Sequence, residues 1–257
     1  MSTIALLTDF GTRDWFVGSM KGVIADINPN VHVIDITHDI KSGDIRSAAL
    51  TLLACFNSFP AQTIFVTVVD PGVGGKRKPV AIQTHRHVFL GPDNGVLSLA
   101  IKNEKIISRY TLENSLYFRL PVSKTFHGRD IFAPVAAHIS RGVTLNFLGP
   151  EQKTMVTLPW VEPVFSRNKL RGTIIHIDKF GNCISSIDHT LFKKISHQSL
   201  TLSINDKRMP VKELYQAVTP GKPVGLLDSS GFLAVAVNGG NAAEQLKISI
   251  GDKVLVS

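Results

Sequence analysis

Along the first 150 residues, short apolar runs alternate with stretches in which apolar side chains recur every three or four positions. Residues 4–8 are a run that stops at Asp9-Phe10-Gly11, the pattern of a strand meeting a loop. Residues 15–28 carry Phe16, Met20, Val23 and Ile27 at helical spacing, and Pro29 closes the segment. A second strand is predicted at 31–36, running into Thr37-His38-Asp39, and a second helix at 45–56, opened by Asp44 as its N-cap. Residues 64–69 are unbroken apolar and β-branched, as in a strand buried on both faces. Further strands are predicted at 79–83, 88–90 and 106–111, with helices near 95–101 and 131–140. The βαβαβ order predicts an α/β domain built on a mostly parallel, helix-covered sheet.

The texture changes after Gly149-Pro150. Pro159-Trp160-Val161-Glu162-Pro163 reads as connecting chain, and beyond it short strands recur at 170–177, 184–187, 200–204, 224–227, 232–237 and 253–256. Asn205-Asp206, Thr219-Pro220-Gly221 and Ser229-Ser230-Gly231 punctuate them as turns, which predicts a small all-β barrel or sandwich. The expected division is an α/β domain over 1–155, a linker over 156–168 and an all-β domain over 169–257.

With 257 residues, 44% of them hydrophobic and 19% charged, the chain can bury a substantial core without staples. Its two cysteines, Cys55 and Cys183, lie far apart with no metal-ligand spacing, which predicts a reduced, cytoplasmic setting and no structural disulfide. The apolar run 4–7 meets Asp9 at once, too short for the roughly 7–15 residues of a signal-peptide core or the ~20 of a membrane span. The net charge of +8 is spread out, with Lys76-Arg77-Lys78 its densest short cluster and no interleaved aromatics, so no nucleic-acid partner is expected. No metal site is expected either: His85 and His87 alternate as they would on one exposed strand face.

Four polar-glycine clusters are the candidate chemistry: Thr8-Asp9-Phe10-Gly11, Asp70-Pro71-Gly72-Val73-Gly74, Gly91-Pro92-Asp93-Asn94-Gly95 and His127-Gly128-Arg129-Asp130. Three of them follow predicted strands, and open α/β sheets bind ligands beyond the carboxyl ends of their strands. Asp9 and Asp70 carry the most information, because a carboxylate at the end of a buried strand is costly unless something pairs with it. The glycines of 72–75 lack phosphate-loop spacing, and no Gly-x-Ser-x-Gly elbow occurs.

These clusters belong to a longer ordered set. It adds Asp14-x-x-Val17-Gly18-x-Met20-Lys21-Gly22, Val33-x-Asp35-Ile36-Thr37-His38, Arg77, and Phe126 ahead of His127. In the second half come Ile177-Asp178-x-Phe180-Gly181-Asn182, Ser230-Gly231-Phe232-Leu233 and Gly240-Asn241-Ala242-Ala243. The set resembles the S-adenosylmethionine hydroxide adenosyltransferases, relatives of the fluorinating and chlorinating adenosyltransferases, over essentially the whole chain.

The resemblance implies hydrolysis of S-adenosyl-L-methionine (SAM) to adenosine and methionine, with SAM as substrate and no separate cofactor. The family's catalytic Asp-Arg-His trio falls on Asp70, Arg77 and His127. Arg77 would favour hydroxide character in a bound water, Asp70 would orient the guanidinium, and His127 would hydrogen-bond that water or take its proton. Asp9, with Asp14 nearby, resembles the ribose-binding carboxylate, Asp178 the partner of the methionine ammonium, and Asn182 the amide that reads adenine. Phe180 either lines the adenine pocket or packs in the core; Asn241 and Ala242 offer backbone to adenine; Ser229 and Ser230 are candidates for the methionine carboxylate. Gly128 stands where fluorinating relatives carry a halide-binding Ser, Phe16 where many relatives carry Tyr, and Ala234 where a Glu is expected. The resemblance also implies a homotrimer with sites at subunit interfaces. Halide adenosyl transfer and silent SAM or adenosine binding are the alternatives.

Overall fold

Successive residues of the first strand, β1 (Thr3–Thr8), enter different cores. Ile4 and Leu6 pack into one apolar cluster, Ala5 and Leu7 into another on the opposite face. The computed structural model describes residues 2–195 and 200–257. It divides into two units, Met1–Leu158 and Pro159–Ser257.

In the first unit, β1 pairs in parallel with β2 (His32–Thr37) and β3 (Ile64–Val68). Next to β3 lies β5 (Val88–Pro92), also parallel, and then β4 (Pro79–Thr84) and β6 (Ile106–Thr111), which run antiparallel. The spatial order is β2-β1-β3-β5-β4-β6. Helices α1 (Phe16–Ile27) and α3 (Ala133–Ser140) cover one face, packing Met20, Ile24 and Val135 onto Ile4, Leu6 and Val66. Helix α2 (Ile45–Cys55) covers the other with Ala48 and Leu52, its first turn capped by Asp44, which accepts from the Ser47 N–H at 2.9 Å. Burial on both faces is why β1 and β3 read as continuous apolar runs.

Three expectations are corrected here. Residues 95–101 form successive turns rather than a helix. Ser98 Oγ donates to the Gly95 carbonyl (2.7 Å) and accepts the Leu158 N–H (3.0 Å), drawing local polar groups out of a helical ladder. The helix at 131–140 starts earlier, as a single π-helical turn, Gly128–Phe132, that runs straight into α3. His85 and His87 do not share an exposed face: they sit on the β4–β5 turn, where His85 is exposed and His87 is 1% accessible among Phe56, Phe65 and Phe89.

Among the described residues, the second unit is built of antiparallel strands with short helical turns between them. In order along the chain the strands are β7 (Val164–Ser166), β8 (Lys169–Ile177), β9 (Cys183–Asp188), β10 (Thr201–Ile204), β11 (Lys207–Pro210), β12 (Pro223–Leu227), β13 (Phe232–Val237) and β14 (Lys253–Val256). They lie in the order β11-β10-β14-β8-β9-β13-β12, with β7 added beside β8. Long strand β8 pairs with β14 over its first half and with β9 over its second, and a bulge between Ile174 and His176 turns the sheet there. A bridge from Val211 to Gly225 brings the two ends together, so the sheet is a nearly closed barrel around Leu170, Ile174, Leu202, Val235 and Val254. Strands β7 and β11 and helices α4 (His189–Phe192) and α5 (Ala242–Leu246) had no clear sequence signal, because each is five residues or shorter. Strand β7 lies within the stretch read as linker.

Candidate active site

Asp70 lies two residues beyond the carboxyl end of β3, on the loop that leads to β4. Arg77, further along that loop, turns back so that Nε (2.8 Å) and Nη2 both donate to Asp70 Oδ2. The pair is withdrawn from solvent, with side chains 11% and 4% accessible, and the guanidinium carbon sits 5.9 Å from the ring centre of Phe132. Arg77 is therefore no solvated member of a basic run. Nη2 also reaches His127 Nδ1 at 2.7 Å. A guanidinium only donates, so Nδ1 is the acceptor and the neutral ring carries its proton on Nε2. Burial, followed by the charge of Arg77, holds the His127 pKa below its ordinary value, with Asp70 and Asp130 opposing. Asp70 Oδ1 is buried and meets no hydrogen-bond partner among the described residues.

Gly128 follows His127 and opens the π turn. A Cβ there would meet Met20 Sδ and Phe10 Cε2 at 3.2 Å and Phe126 Cε2 at 3.3 Å. Phe10, Phe16 and Phe126 form an aromatic cluster with centroids 5.1–5.8 Å apart, so the wall beside His127 is apolar and Phe16 is part of it. Asp130, fully buried, anchors the same segment: its Oδ2 accepts the Ser123 N–H (2.8 Å) and Arg129 Nη2 (3.0 Å), and its Oδ1 accepts Arg129 Nε (2.6 Å). Burial works against its charge, yet the Arg129 and Ser123 hydrogen bonds and the charges of Arg129 and Arg119 together hold its pKa below the ordinary range.

Asp9 sits at the end of β1, where Oδ2 accepts the Gly43 N–H at 2.8 Å. Asp14 is exposed on the loop before α1. Neither is hydrogen-bonded to the Asp70–Arg77–His127 cluster, although Phe10 links the Asp9 loop to the wall around Gly128.

In the second unit, Asp178, Asn182 and Asn241 come together. Asp178 Oδ1 accepts the N–H groups of Phe180 and Asn182, both at 2.9 Å, while Oδ2 accepts the Asn182 side-chain amide at 2.9 Å. Three of about four acceptor sites on this carboxylate are thus used inside its own turn. Asn241 caps α5, accepting the Glu244 N–H at 3.1 Å, and Ala243 N–H reaches the Gly181 carbonyl at 3.0 Å, which seats buried Ala242 beside the turn. Gly181 takes φ +83° against the Asn241 amide, where a Cβ would collide. Phe180 is 64% exposed with Lys179 Nζ 4.8 Å above its ring, which removes the core alternative.

Ser230 donates its hydroxyl to Asp228 Oδ1 at 2.6 Å, and exposed Ser229 precedes it. Asp228 also accepts the N–H groups of Ser230 (2.9 Å) and Phe232 (3.1 Å), an acidic turn residue that motif reading passed over. Exposed Tyr215 was not singled out either: burial, then the charges of Asp228 and Asp178, push its phenol up. Ala234 is 1% accessible in β13.

Among the described residues, no group of three or more His, Cys, Asp or Glu could hold a metal ion, and no helix is long and apolar enough to cross a membrane.

Fold and cluster define a two-domain protein, α/β then all-β, with its ionisable groups gathered beyond the carboxyl ends of parallel strands. Residues 4–149 match the model of the SAM hydroxide adenosyltransferase N-terminal domain and residues 172–255 that of the C-terminal domain. A Salinispora tropica protein named (R)-S-adenosyl-L-methionine hydrolase is 36% identical, the match covering 99% of this chain and 97% of that protein. One of the same name from Thermus thermophilus is 34% identical over 98% of each chain. A fluorinase from an Actinoplanes species is more distant, at 26% identity over 99% of this chain and 97% of its own. The crystal structure of an uncharacterized conserved protein from Thermotoga maritima superposes with a TM-score of 0.93 at 36% identity, covering 98% of this chain and 99% of its own. The chain belongs to the SAM hydroxide adenosyltransferase family.

Proposed function

We propose that this protein hydrolyses S-adenosyl-L-methionine to adenosine and L-methionine. A water oxygen attacks the ribose 5′-carbon in line with the sulfonium; the carbon–sulfur bond breaks, and its electron pair leaves on sulfur as neutral methionine. Such a leaving group needs no general acid, so the protein's task is to orient and activate the water. The observation that carries this reading is Arg77 held between Asp70 and His127 while Asp70 Oδ1 stays buried and, among the described residues, unpartnered. In this reading Oδ1 accepts the water's proton, Arg77 supplies the positive charge that favours hydroxide character, and His127 orients the oxygen through its Nε2–H.

Asp9 is assigned the ribose hydroxyls, with Asp14 nearby, and Gly128 the wall beside the reacting carbon, where the missing side chain lets Phe10, Met20 and Phe126 close in. Asp178 with its remaining acceptor capacity is assigned the methionine ammonium, Ser229 and Ser230 the methionine carboxylate, and Asn182, Phe180, Asn241 and Ala242 the adenine. No separate cofactor enters the reaction. Assembly as a homotrimer with sites at subunit interfaces belongs to the same reading, supported by ligand-type residues occurring in both units. A cytoplasmic setting is supported by two unpaired thiols, Cys55 and Cys183, which burial pushes up to about 11 and about 12.

Incubation of the purified protein with SAM, with and without chloride, tests the activity. Adenosine formed in halide-free buffer supports hydrolysis. A 5′-chloro-adenosine product overturns it in favour of halide transfer, and tight adenosine binding without turnover overturns it in favour of a silent binder.

A further inference from the structure

The segment Val33-x-Asp35-Ile36-Thr37-His38 has no part in the chemistry above, yet it reaches the Asp9 loop. Strand β2 carries one extra residue opposite β1: Leu6 pairs with Asp35, but Leu7 pairs with Thr37. That irregularity brings His38, 4% accessible, alongside Thr8, which is fully buried. His38 Nδ1 lies 2.8 Å from Thr8 Oγ1, and Thr8 Oγ1 accepts the Phe10 N–H at 3.2 Å. The main-chain carbonyl of His38 accepts the Gly11 N–H at 2.8 Å. One residue therefore grips the chain on both sides of Asp9.

On the far side of the ring, Nε2 stands 3.0 Å from Asp35 Oδ1, close but bent away from straight hydrogen-bond alignment. Asp35 Oδ2 accepts Lys21 Nζ at 2.6 Å. Burial works against the charge of Asp35, but Lys21 and His38 outweigh it and hold its carboxyl below the ordinary range. An ionised carboxylate only accepts, so Nε2 carries a proton, and in the neutral ring Nδ1 then accepts from the Thr8 hydroxyl. From the Asp9 loop to Asp35 the donors then run one way, Phe10 N–H to Thr8 Oγ1, Thr8 O–H to His38 Nδ1 and His38 Nε2–H toward Asp35, which Lys21 meets from the other side. The buried part of this chain, Thr8 and the His38 ring, is held in one sense only, which fixes a single geometry for the loop it grips.

We propose that His38 is a positioning residue for Asp9, acting through Thr8 Oγ1 and the Gly11 N–H to aim that carboxylate at the substrate ribose. The proposal rests on the assignment of Asp9 to ribose.

Calorimetric titration of the full chain with adenosine tests it, alongside KM for SAM and the thermal midpoint. Thr8→Val keeps the shape of the side chain but deletes the hydroxyl; it and His38→Asn are expected to weaken adenosine binding and raise KM by about tenfold or more. Thr8→Ser, which keeps the hydroxyl, is expected to bind within about twofold of the parent. Unchanged adenosine affinity in Thr8→Val and His38→Asn, with only a lowered midpoint, overturns the positioning role. Asp9→Asn separates the two levels. If it fails to weaken adenosine binding, the ribose assignment falls and the proposal with it; if it weakens binding while Thr8→Val does not, the proposal alone falls. Should both relay variants fail to fold, nitrogen-15 shifts of the His38 ring in the parent chain decide: a proton on Nε2 supports the chain of donors, and one on Nδ1 overturns it.

Discussion

Gly74 rests against the main-chain carbonyl of Lys124 so closely that no Cβ fits between them, and its φ of +73° is one that side chains rarely adopt. This contact joins the loop carrying Asp70 and Arg77 to the loop carrying His127. Gly74→Ala is therefore expected to destabilise by more than about 1 kcal/mol and to part Arg77 from His127. Adenosine production from SAM should fall by roughly tenfold or more, since each 1.4 kcal/mol in the barrier is tenfold in rate. A variant with parental turnover would show that the two loops are not set by this approach.

Arg77→Lys keeps the charge but loses the fork. A single ammonium cannot serve Asp70 Oδ2 twice and His127 Nδ1 once, as the guanidinium does. Losing one or two charge-assisted hydrogen bonds predicts a fall in kcat of roughly 10- to 100-fold, with KM for SAM changing far less. Steady-state kinetics checks this; a drop confined to KM would place Arg77 in binding instead.

Asp130 carries no direct role in the chemistry, but it fixes the approach to His127 through Ser123 and Arg129. Asp130→Asn leaves partly exposed Arg129 facing a neutral group and is expected to cost about 1–2 kcal/mol, read by chemical denaturation. The sign in pH follows from its lowered pKa. The unfolded chain takes up the proton first as acid is added, so this contribution is present above about pH 4 and is lost as pH falls through the lower folded value. The variant should have a flatter acid limb of stability than the parent.

His87 gives a second pH signature. Neither ring nitrogen meets a hydrogen-bond partner among the described residues, the ring packs edge-on to Phe56, Phe65 and Phe89, and burial, then the charge of Arg86, lowers its pKa. Below about pH 6.5 the unfolded chain binds a proton that the folded chain resists, so stability falls on acidification through that window. His87→Leu should stabilise the protein by about 1 kcal/mol at neutral pH and reduce the slope between pH 5 and 6.5. Unfolding curves across that range check both; an unchanged slope would mean that His87 does not titrate on unfolding.

Helix-covered strands were legible because burial on two faces demands unbroken apolar sequence, as in residues 64–69, and because Asp44 and Pro29 mark helix ends by local rules. Asp9 and Asp70 were legible as strand-end carboxylates that need partners. Residues 95–101 were not, since the Ser98 hydroxyl takes the Gly95 carbonyl that a helical ladder would use and is itself held by the N–H of Leu158, sixty residues away. His87 was misread for a related reason: alternation fixes which residues share a face only inside a strand, and the β4–β5 turn breaks it.

The linear order of residues determined the α/β-then-β plan and which side chains had the chemistry to act, because periodicity and side-chain type are local properties. The tertiary structure decided that Arg77 leaves solvent to sit between Asp70 and His127, which ring nitrogen of His127 bears the proton, and that His38 grips both flanks of Asp9. Those relationships join segments 7 to 50 positions apart. They exist only once packing has brought the loops together and removed the water that would otherwise satisfy each group.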